Sequence, residues 1–210
     1  MPQPTLPVVE TFHSLQGEGL HAGRSAFFIR LGGCSVGCSW CDTKQSWPAQ
    51  VHPQRPLQDL VLEAVEARSA GSAFVVVTGG EPLEHNLEPL CEALANAGLP
   101  VHLETSGVGE LSGQFSWITL SPKPHNPPRA TALRSCHELK VVVHEADDLG
   151  FAEAMAVAAR QARDADEAAP QLLLQPGWDC ATGQELAIDF VRSHPQWRLS
   201  LQSHKWLGVR

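Results

Sequence analysis

A repeated pairing constrains this chain more than any other feature. A short apolar run breaks off into a polar turn, and an amphipathic stretch follows. Ala73-Phe-Val-Val-Val77 ends in Thr78-Gly79-Gly80-Glu81-Pro82, and such β-branched runs are characteristic of strands buried in a parallel sheet. Leu87, Leu90, Cys91, Leu94 and Ala95 then recur at helical spacing, stopped by Gly98 and Pro100. Helical periodicity also predicts a helix over about 57–70, and an alanine-rich one is expected over about 147–165. Thr182 and Glu185 read as the capping box of another helix, which closes at His194-Pro195. Further strands are expected at Val8–Phe12, Ala26–Leu31, Val101–Glu104, Trp117–Leu120, Glu138–Val143, Gln171–Leu174 and Trp197–Leu201. The links 105–116 and 121–137 show no helical period. Strands alternating with helices imply a mostly parallel sheet under helical cover. A closed eight-fold barrel typically takes about 250 residues, and this chain has 210. The expected fold class is therefore α/β, a shortened, partly open βα (TIM-like) barrel, with one domain over residues 1–210.

Composition narrows the function classes. The chain carries 43% hydrophobic and 18% charged residues, and no window approaches the roughly 18 apolar residues of a membrane span. The start, Met1-Pro-Gln-Pro-Thr-Leu-Pro, has neither a basic nor an apolar leader region, so a cytoplasmic location is expected. The net charge is −8 and no Lys/Arg cluster exceeds two neighbours, which argues against nucleic acid as the main partner and for a small ligand. Six cysteines in a chain without a leader read as thiols or metal ligands rather than as disulfides.

Cys34, Cys38 and Cys41 form C-x3-C-x2-C in a glycine-rich loop, whereas Cys91, Cys136 and Cys180 stand alone and read as ordinary thiols. No fourth cysteine lies nearby. Structural zinc takes four ligands and would have to recruit His52 or a distant residue; an iron-sulfur cluster tolerates three protein thiolates if an exogenous ligand completes it. In parallel βα folds the loops after the strands converge on the ligand. Here those segments are the cysteine loop, Thr78–Glu81, Glu104–Ser106, Ser121–Lys123, Gln175-Pro176 and Gln202–His204, nearly all polar.

Cys34-x3-Cys38-x2-Cys41, with the aromatic Trp40 just before the last cysteine, resembles the hallmark loop of the radical S-adenosylmethionine enzymes. Thr78-Gly79-Gly80-Glu81-Pro82 resembles the glycine-rich element with which they hold the cofactor's amino group. Leu15–Gly19, Cys41-Asp42-Thr43, Glu104–Gly107, Ser121–Lys123, Glu138–Lys140 and Trp197–Lys205 are together similar to the 7-carboxy-7-deazaguanine synthase family, in order along nearly the whole chain.

This resemblance implies a 4Fe-4S cluster on Cys34, Cys38 and Cys41, whose free iron binds S-adenosylmethionine, and Mg2+ held by Thr43. It implies cofactor contacts from Trp40, Cys41, Asp42, Gly80, Glu81, Ser121, Pro122, Lys123, Gln175 and Pro176. Leu15, Gln16, Gly17, Arg30 and Thr78 match substrate contacts, and a guanidinium fork such as that of Arg30 suits a carboxylate. His204 and the main-chain carboxylate of Arg210 would join them. The implied reaction is ring contraction of 6-carboxy-5,6,7,8-tetrahydropterin to 7-carboxy-7-deazaguanine with loss of ammonia, on the way to queuosine and other 7-deazapurines. A homodimer and an electron-donor protein such as flavodoxin are further family expectations. The competing readings are a radical S-adenosylmethionine activase acting on a protein partner and a non-catalytic zinc-binding module.

Overall fold

The computed structural model describes residues 4–210, so Met1–Gln3, part of the stretch read for a leader, lie outside it. One nine-stranded sheet runs in the order β3-β1-β2-β4-β5-β6-β7-β8-β9. From β2 (Ser25–Leu31) onward every neighbour is parallel: β4 (Val75–Gly79), β5 (Val101–Thr105), β6 (Trp117–Leu120), β7 (Glu138–Val143), β8 (Gln171–Pro176) and β9 (Trp197–Leu199). The first strand, β1 (Thr5–Leu15), is antiparallel both to β2 and to the short β3 (Gln54–Pro56). The helices are α1 (Leu57–Ser69), α2 (Glu88–Asn96), α3 (Ala130–Ser135), α4 (Asp147–Gln161), α5 (Ala181–Ser193) and α6 (Ser203–Leu207). The sheet does not close on itself, and the architecture is a partly open α/β barrel. Among the described residues no helix is long and apolar enough to cross a membrane.

Several elements depart from the sequence reading. β1 starts three residues earlier and runs three residues later than expected, because its ends pair with β3 and with the beginning of β2. α3 falls inside the 121–137 link, where six residues are too few to display a period. α4 stops at Gln161, and the third strand β3 and the terminal α6 were likewise too short to read. The capping box is also different. The α5 N-cap is Cys180, whose Sγ accepts from the Gly183 N–H at 3.3 Å, so Thr182 lies inside the first turn.

Strand residues alternate between two environments. Phe27, Ile29, Leu31, Val75, Val77, Leu103, Leu120, Leu139, Val141 and Leu174 face the helices in the main core. On the opposite, inward face the strands change character along their length. Their N-terminal ends hold an apolar and aromatic floor: Ala26, Phe28, Phe74 and Val76 cluster with Phe12, and Phe74 stacks on His102 with ring centroids 4.0 Å apart. His21 packs edge-on against Trp117 at 4.6 Å and beside His102 at 4.7 Å. His21 Nε2 and Trp117 Nε1 are buried there without a hydrogen-bond partner among the described residues. The C-terminal ends instead carry Arg30, Thr78 and Glu104, with Lys140 midway along β7.

The gap between the two sheet edges is laced by the segment that leaves β1. Ser203 donates to the Gly17 carbonyl through both its N–H and its Oγ, each at 2.9 Å. Gly19 N–H donates to Ser200 Oγ at 3.0 Å and Leu20 N–H to Glu138 Oε2 at 2.7 Å. Between them Glu18 receives Lys140 Nζ, Gln202 Nε2 at 2.8 Å and Gln175 Nε2 at 3.2 Å. Burial by itself would raise the Glu18 carboxyl, but Lys140 and these hydrogen bonds outweigh it and hold the pKa low.

Lys140→Met should therefore cost about 3 kcal/mol of unfolding free energy, since it leaves Glu18 withdrawn from water without its cation. The double variant Glu18→Gln/Lys140→Met should recover part of that loss, as read from chemical denaturation midpoints. The floor generates a pH prediction. Burial, reinforced by the charges of His21, Arg24 and His137, lowers the His102 pKa from 6.5 to about 3. As pH falls below 6.5 the unfolded chain takes up a proton that the folded chain refuses, so stability is lost until pH nears the folded value. Between pH 7 and pH 5 this one group should remove about 2 kcal/mol, and His102→Phe should abolish that share of the loss in denaturation curves at the two pH values.

Candidate active site

The cysteine loop leaves β2 directly. Gly33 and Gly37 adopt φ of 106° and 73°, which the close turns require. Gly33 N–H donates to the Ser46 carbonyl at 2.7 Å and Cys34 N–H to that of Trp47 at 3.1 Å, fixing the loop to the following turn. The loop after β4 is bound to it as well: Glu81 N–H donates to the Gly33 carbonyl at 2.7 Å. The approach is so close that a Cβ on Gly80 would sit 2.0 Å from the Gly33 oxygen and 3.2 Å from Cys34 Cβ.

Cys34, Cys38 and Cys41 line one cavity of ≈ 210 Å³ together with Gly80, Glu81, Ser121 and Lys123. All three are free thiols. Burial raises the Cys34 and Cys38 thiols, with Lys123 working in the opposite direction at Cys38. Among the described residues no three His, Cys, Asp or Glu side chains converge on a point as a single metal ion would need. His52, the candidate fourth zinc ligand, bonds the Gln45 carbonyl through Nε2 at 2.9 Å and is absent from the cavity wall. Three thiols around a cavity suit a polynuclear cluster with an open position better than a tetrahedral ion.

A second cavity of ≈ 330 Å³ shares Cys38, Cys41, Ser121, Lys123 and Lys140 with the first. Trp40, Asp42, His144, Gln175, Gly177, Trp178 and Lys205 complete much of its wall. Its size and its mixture of aromatic and polar groups fit a nucleoside-bearing ligand. Lys123 Nζ donates to the Ser121 carbonyl and Oγ, both at 2.7 Å, and burial brings its pKa down to about 8. Lys205 Nζ bonds Asp42 Oδ2 at 2.6 Å and lies 4.9 Å above the Trp178 ring, so α6 reaches over this cavity.

A third cavity of ≈ 240 Å³ gathers Leu15, Gln16, Gly17, Arg30, Asp42, Thr43, Thr78, His204 and Arg210. Glu104 organises it, accepting from Gln16 Nε2 at 2.9 Å and Thr78 Oγ1 at 2.8 Å. His204 packs against Gly17, where a Cβ would lie 2.1 Å from its Nδ1. Thr43 is the N-cap of a short 3-10 turn but makes no side-chain cap bond, and its Oγ1 stands 3.6 Å from Cys41 Sγ.

The structure thus brings together most of the site residues inferred from sequence, with qualifications. Glu81, which the resemblance places among the cofactor contacts, has its carboxylate engaged within the protein. It is 1% exposed, and its carboxylate accepts from Leu83 N–H, Thr105 Oγ1, Ser106 N–H and Ser106 Oγ, so it braces the loop. Gln175 is committed to Glu18 and to Ser200 Oγ at 2.9 Å. Pro176 faces a neighbouring surface cavity beside Trp178 and Trp206, and Pro122 lines none of these spaces. Sequence reasoning placed Glu18, Glu104 and Lys140 inside family-like stretches but gave none of them a role. The available signal was charge at alternate, inward positions of otherwise apolar strands, as in Glu138-Leu-Lys140.

Comparison with known proteins agrees with this geometry. Residues 28–110 match the Radical SAM superfamily model. A 7-carboxy-7-deazaguanine synthase of Prochlorococcus marinus is 54% identical over 97% of this chain and 98% of its own. That of Escherichia coli K12 is 32% identical over 97% and 98%. The crystal structure of QueE from Escherichia coli superposes with a TM-score of 0.81 at 31% identity, covering 95% of each chain. With such identity sustained over nearly the full length of both partners, the chain belongs to the 7-carboxy-7-deazaguanine synthase family of radical S-adenosylmethionine enzymes.

Proposed function

We propose that this chain, as one domain over residues 1–210, converts 6-carboxy-5,6,7,8-tetrahydropterin to 7-carboxy-7-deazaguanine with loss of ammonia, a lyase reaction serving queuosine and related 7-deazapurines. The observation that carries the reading is the row of three cavities with shared walls: the thiol cavity adjoins the aromatic one through Cys38 and Cys41, and Glu18, Asp42 and Gln202 line both the aromatic and the Arg30 cavity. Cys34, Cys38 and Cys41 would hold a 4Fe-4S cluster, which when reduced would supply an electron to S-adenosylmethionine.

The chain's own residues position, neutralise and exclude water. Trp40 and Trp178 offer aromatic faces to the cofactor, Lys123 and Lys140 bring positive charge beside it, and Asp42, Gly80, Ser121 and the turn after Gln175 contribute polar main-chain and side-chain groups. Glu81 acts at one remove by holding the Gly79-Gly80 turn against the cysteine loop. In the neighbouring cavity Gln16, Thr78 and Glu104 present a connected set of donors and acceptors suited to a pterin ring, and Arg30 takes its carboxylate. Leu15, Gly17 and His204 shape the wall. Thr43 Oγ1, free of any capping bond, is assigned to Mg2+, which favours oxygen ligands and retains water. A cytoplasmic homodimer receiving electrons from a flavodoxin-like protein completes the proposal.

Anaerobic turnover of the reconstituted protein with S-adenosylmethionine, reductant, magnesium and the carboxytetrahydropterin should yield 7-carboxy-7-deazaguanine, and Cys38→Ala should yield none. Formation of 5′-deoxyadenosine without deazaguanine would favour a radical enzyme with another substrate, and stoichiometric zinc without iron or sulfide would favour the binding module. Gly80→Ala tests the loop contact independently of activity. The added Cβ collides with the Gly33 carbonyl, so the variant should bind less than half the wild-type iron and sulfide on reconstitution; full loading would refute the need for that close approach.

A further inference from the structure

The Arg30 cavity contains a second guanidinium. The family resemblance gives Arg210 a part only through its main chain, yet Arg210 lines this cavity and its guanidinium stands at the rim beside Phe12. Three contacts hold it there. Arg210 Nη2 lies 2.9 Å from Glu10 Oε2, its guanidinium stands 5.6 Å from the centre of the Phe12 ring, and its main-chain oxygen accepts from Ser14 Oγ at 2.5 Å. Glu10 is itself placed by the sheet. A register shift between Val8 and Glu10 sets Glu10 directly opposite Arg30 in the β1–β2 ladder, and its other oxygen accepts from Arg30 Nε at 3.0 Å.

One carboxylate therefore bridges two arginines. Arg30 is bonded at Nε alone, and its two Nη groups have no acceptor among the described residues. The three side chains carry one positive charge in excess, and the main-chain carboxylate of Arg210, turned toward Ser14, offsets it. The other charged walls of the cavity are acidic or already neutralised: Glu104 is occupied by Gln16 and Thr78, Glu18 is paired with Lys140, and Asp42 is paired with Lys205. An anionic ligand entering this space finds unpaired N–H donors on Arg30 beside Glu10, and at the other end the carboxylate of Glu104.

We propose that Arg210 is a specificity-determining residue: its guanidinium and that of Arg30, tied together by Glu10, form a two-arginine seat for the substrate's carboxylate. This rests on the assignment of the cavity to the pterin. The seat fixes which end of the ring system faces β1 and β2, and it does so with planar forks that match a carboxylate in a way a single cation does not. Glu10 is a positioning residue, holding both forks extended when the cavity is empty.

The test is equilibrium titration of the reconstituted, S-adenosylmethionine-bound protein with 6-carboxytetrahydropterin and with tetrahydropterin, which lacks the carboxylate. Wild type should prefer the carboxylated ligand. Arg210→Ala and Arg210→Gln should each weaken it about tenfold, in the range of one charge-assisted contact at a partly exposed site, while leaving tetrahydropterin within about twofold. Arg210→Lys should restore part of the preference. In turnover the Ala variant should show the loss in KM with kcat little changed. Unchanged affinity for the carboxylated ligand, or equal weakening of both ligands, would overturn the role of Arg210 while leaving the cavity assignment standing. A wild-type protein indifferent to the carboxylate would overturn both.

Discussion

The open barrel depends on one buried interaction, the pairing of Glu18 with Lys140. Strands β2 and β4–β9 hold one another by ladder hydrogen bonds, but no ladder joins the β1 side to β9. Closure is left to a loop, and a loop has few apolar groups with which to do it. Glu18 provides the attachment, because its carboxylate collects Lys140 from β7, Gln175 from β8 and Gln202 from the segment before α6. An ion pair withdrawn from water gains little over an apolar contact of the same size. It does impose direction, since the loop can satisfy Glu18 in only one position. That position also brings Gln16 to Glu104 and Gly17 under Ser203 and His204, so the same contact that closes the barrel assembles the third cavity.

The barrel interior is divided by height, and the division separates stability from function. At the N-terminal ends of the strands, Phe74, His102 and Trp117 make an aromatic floor that keeps His102 neutral. At the C-terminal ends the inward positions are charged or strongly hydrogen-bonding. The floor excludes water from below, which strengthens the electrostatic interactions above it. Its cost is sensitivity to acid, because burial lowers the pKa of His21, His102 and His137.

Much of this was legible in the sequence, for identifiable reasons. Runs such as Ala73–Val77 and Glu138–Val143 are long enough to show strand character, and helices α1 and α2 are long enough to show a 3.6-residue period. The polar ends of the strands could be placed on one rim because parallel βα order leaves no other arrangement. Elements of three to six residues, β3, α3 and α6, have no period to read, and the Cys180 cap uses a sulfur where capping rules anticipate Thr182. The motif residues of the site were readable one by one. Their supports were not, because Glu18, Glu104 and Lys140 acquire their roles from partners 88 to 157 positions away in the cases of Gln16–Glu104 and Glu18–Gln175. Glu81 shows the same limit from the other side: the motif places it among the cofactor contacts, and only the fold reveals that Thr105 and Ser106 enclose it.

The shared walls give the three cavities a common frame. Cys38 and Cys41 belong to the thiol cavity and to the aromatic one, while Asp42, the next residue, belongs to the aromatic cavity and to the one holding Arg30. Two successive residues of one loop therefore touch all three spaces. A shift of that loop would move part of the wall of all three spaces at once. The loop is held from two directions, by Ser46 and Trp47 on its C-terminal side and by the Glu81 N–H from the adjacent strand end. Chemistry that passes between neighbouring bound molecules requires reacting atoms kept within a few tenths of an ångström of their productive separation. Building the spaces on one braced loop meets that requirement with a few main-chain hydrogen bonds, and it makes the glycines at 33 and 80, where the two chains touch, as consequential as the cysteines they surround.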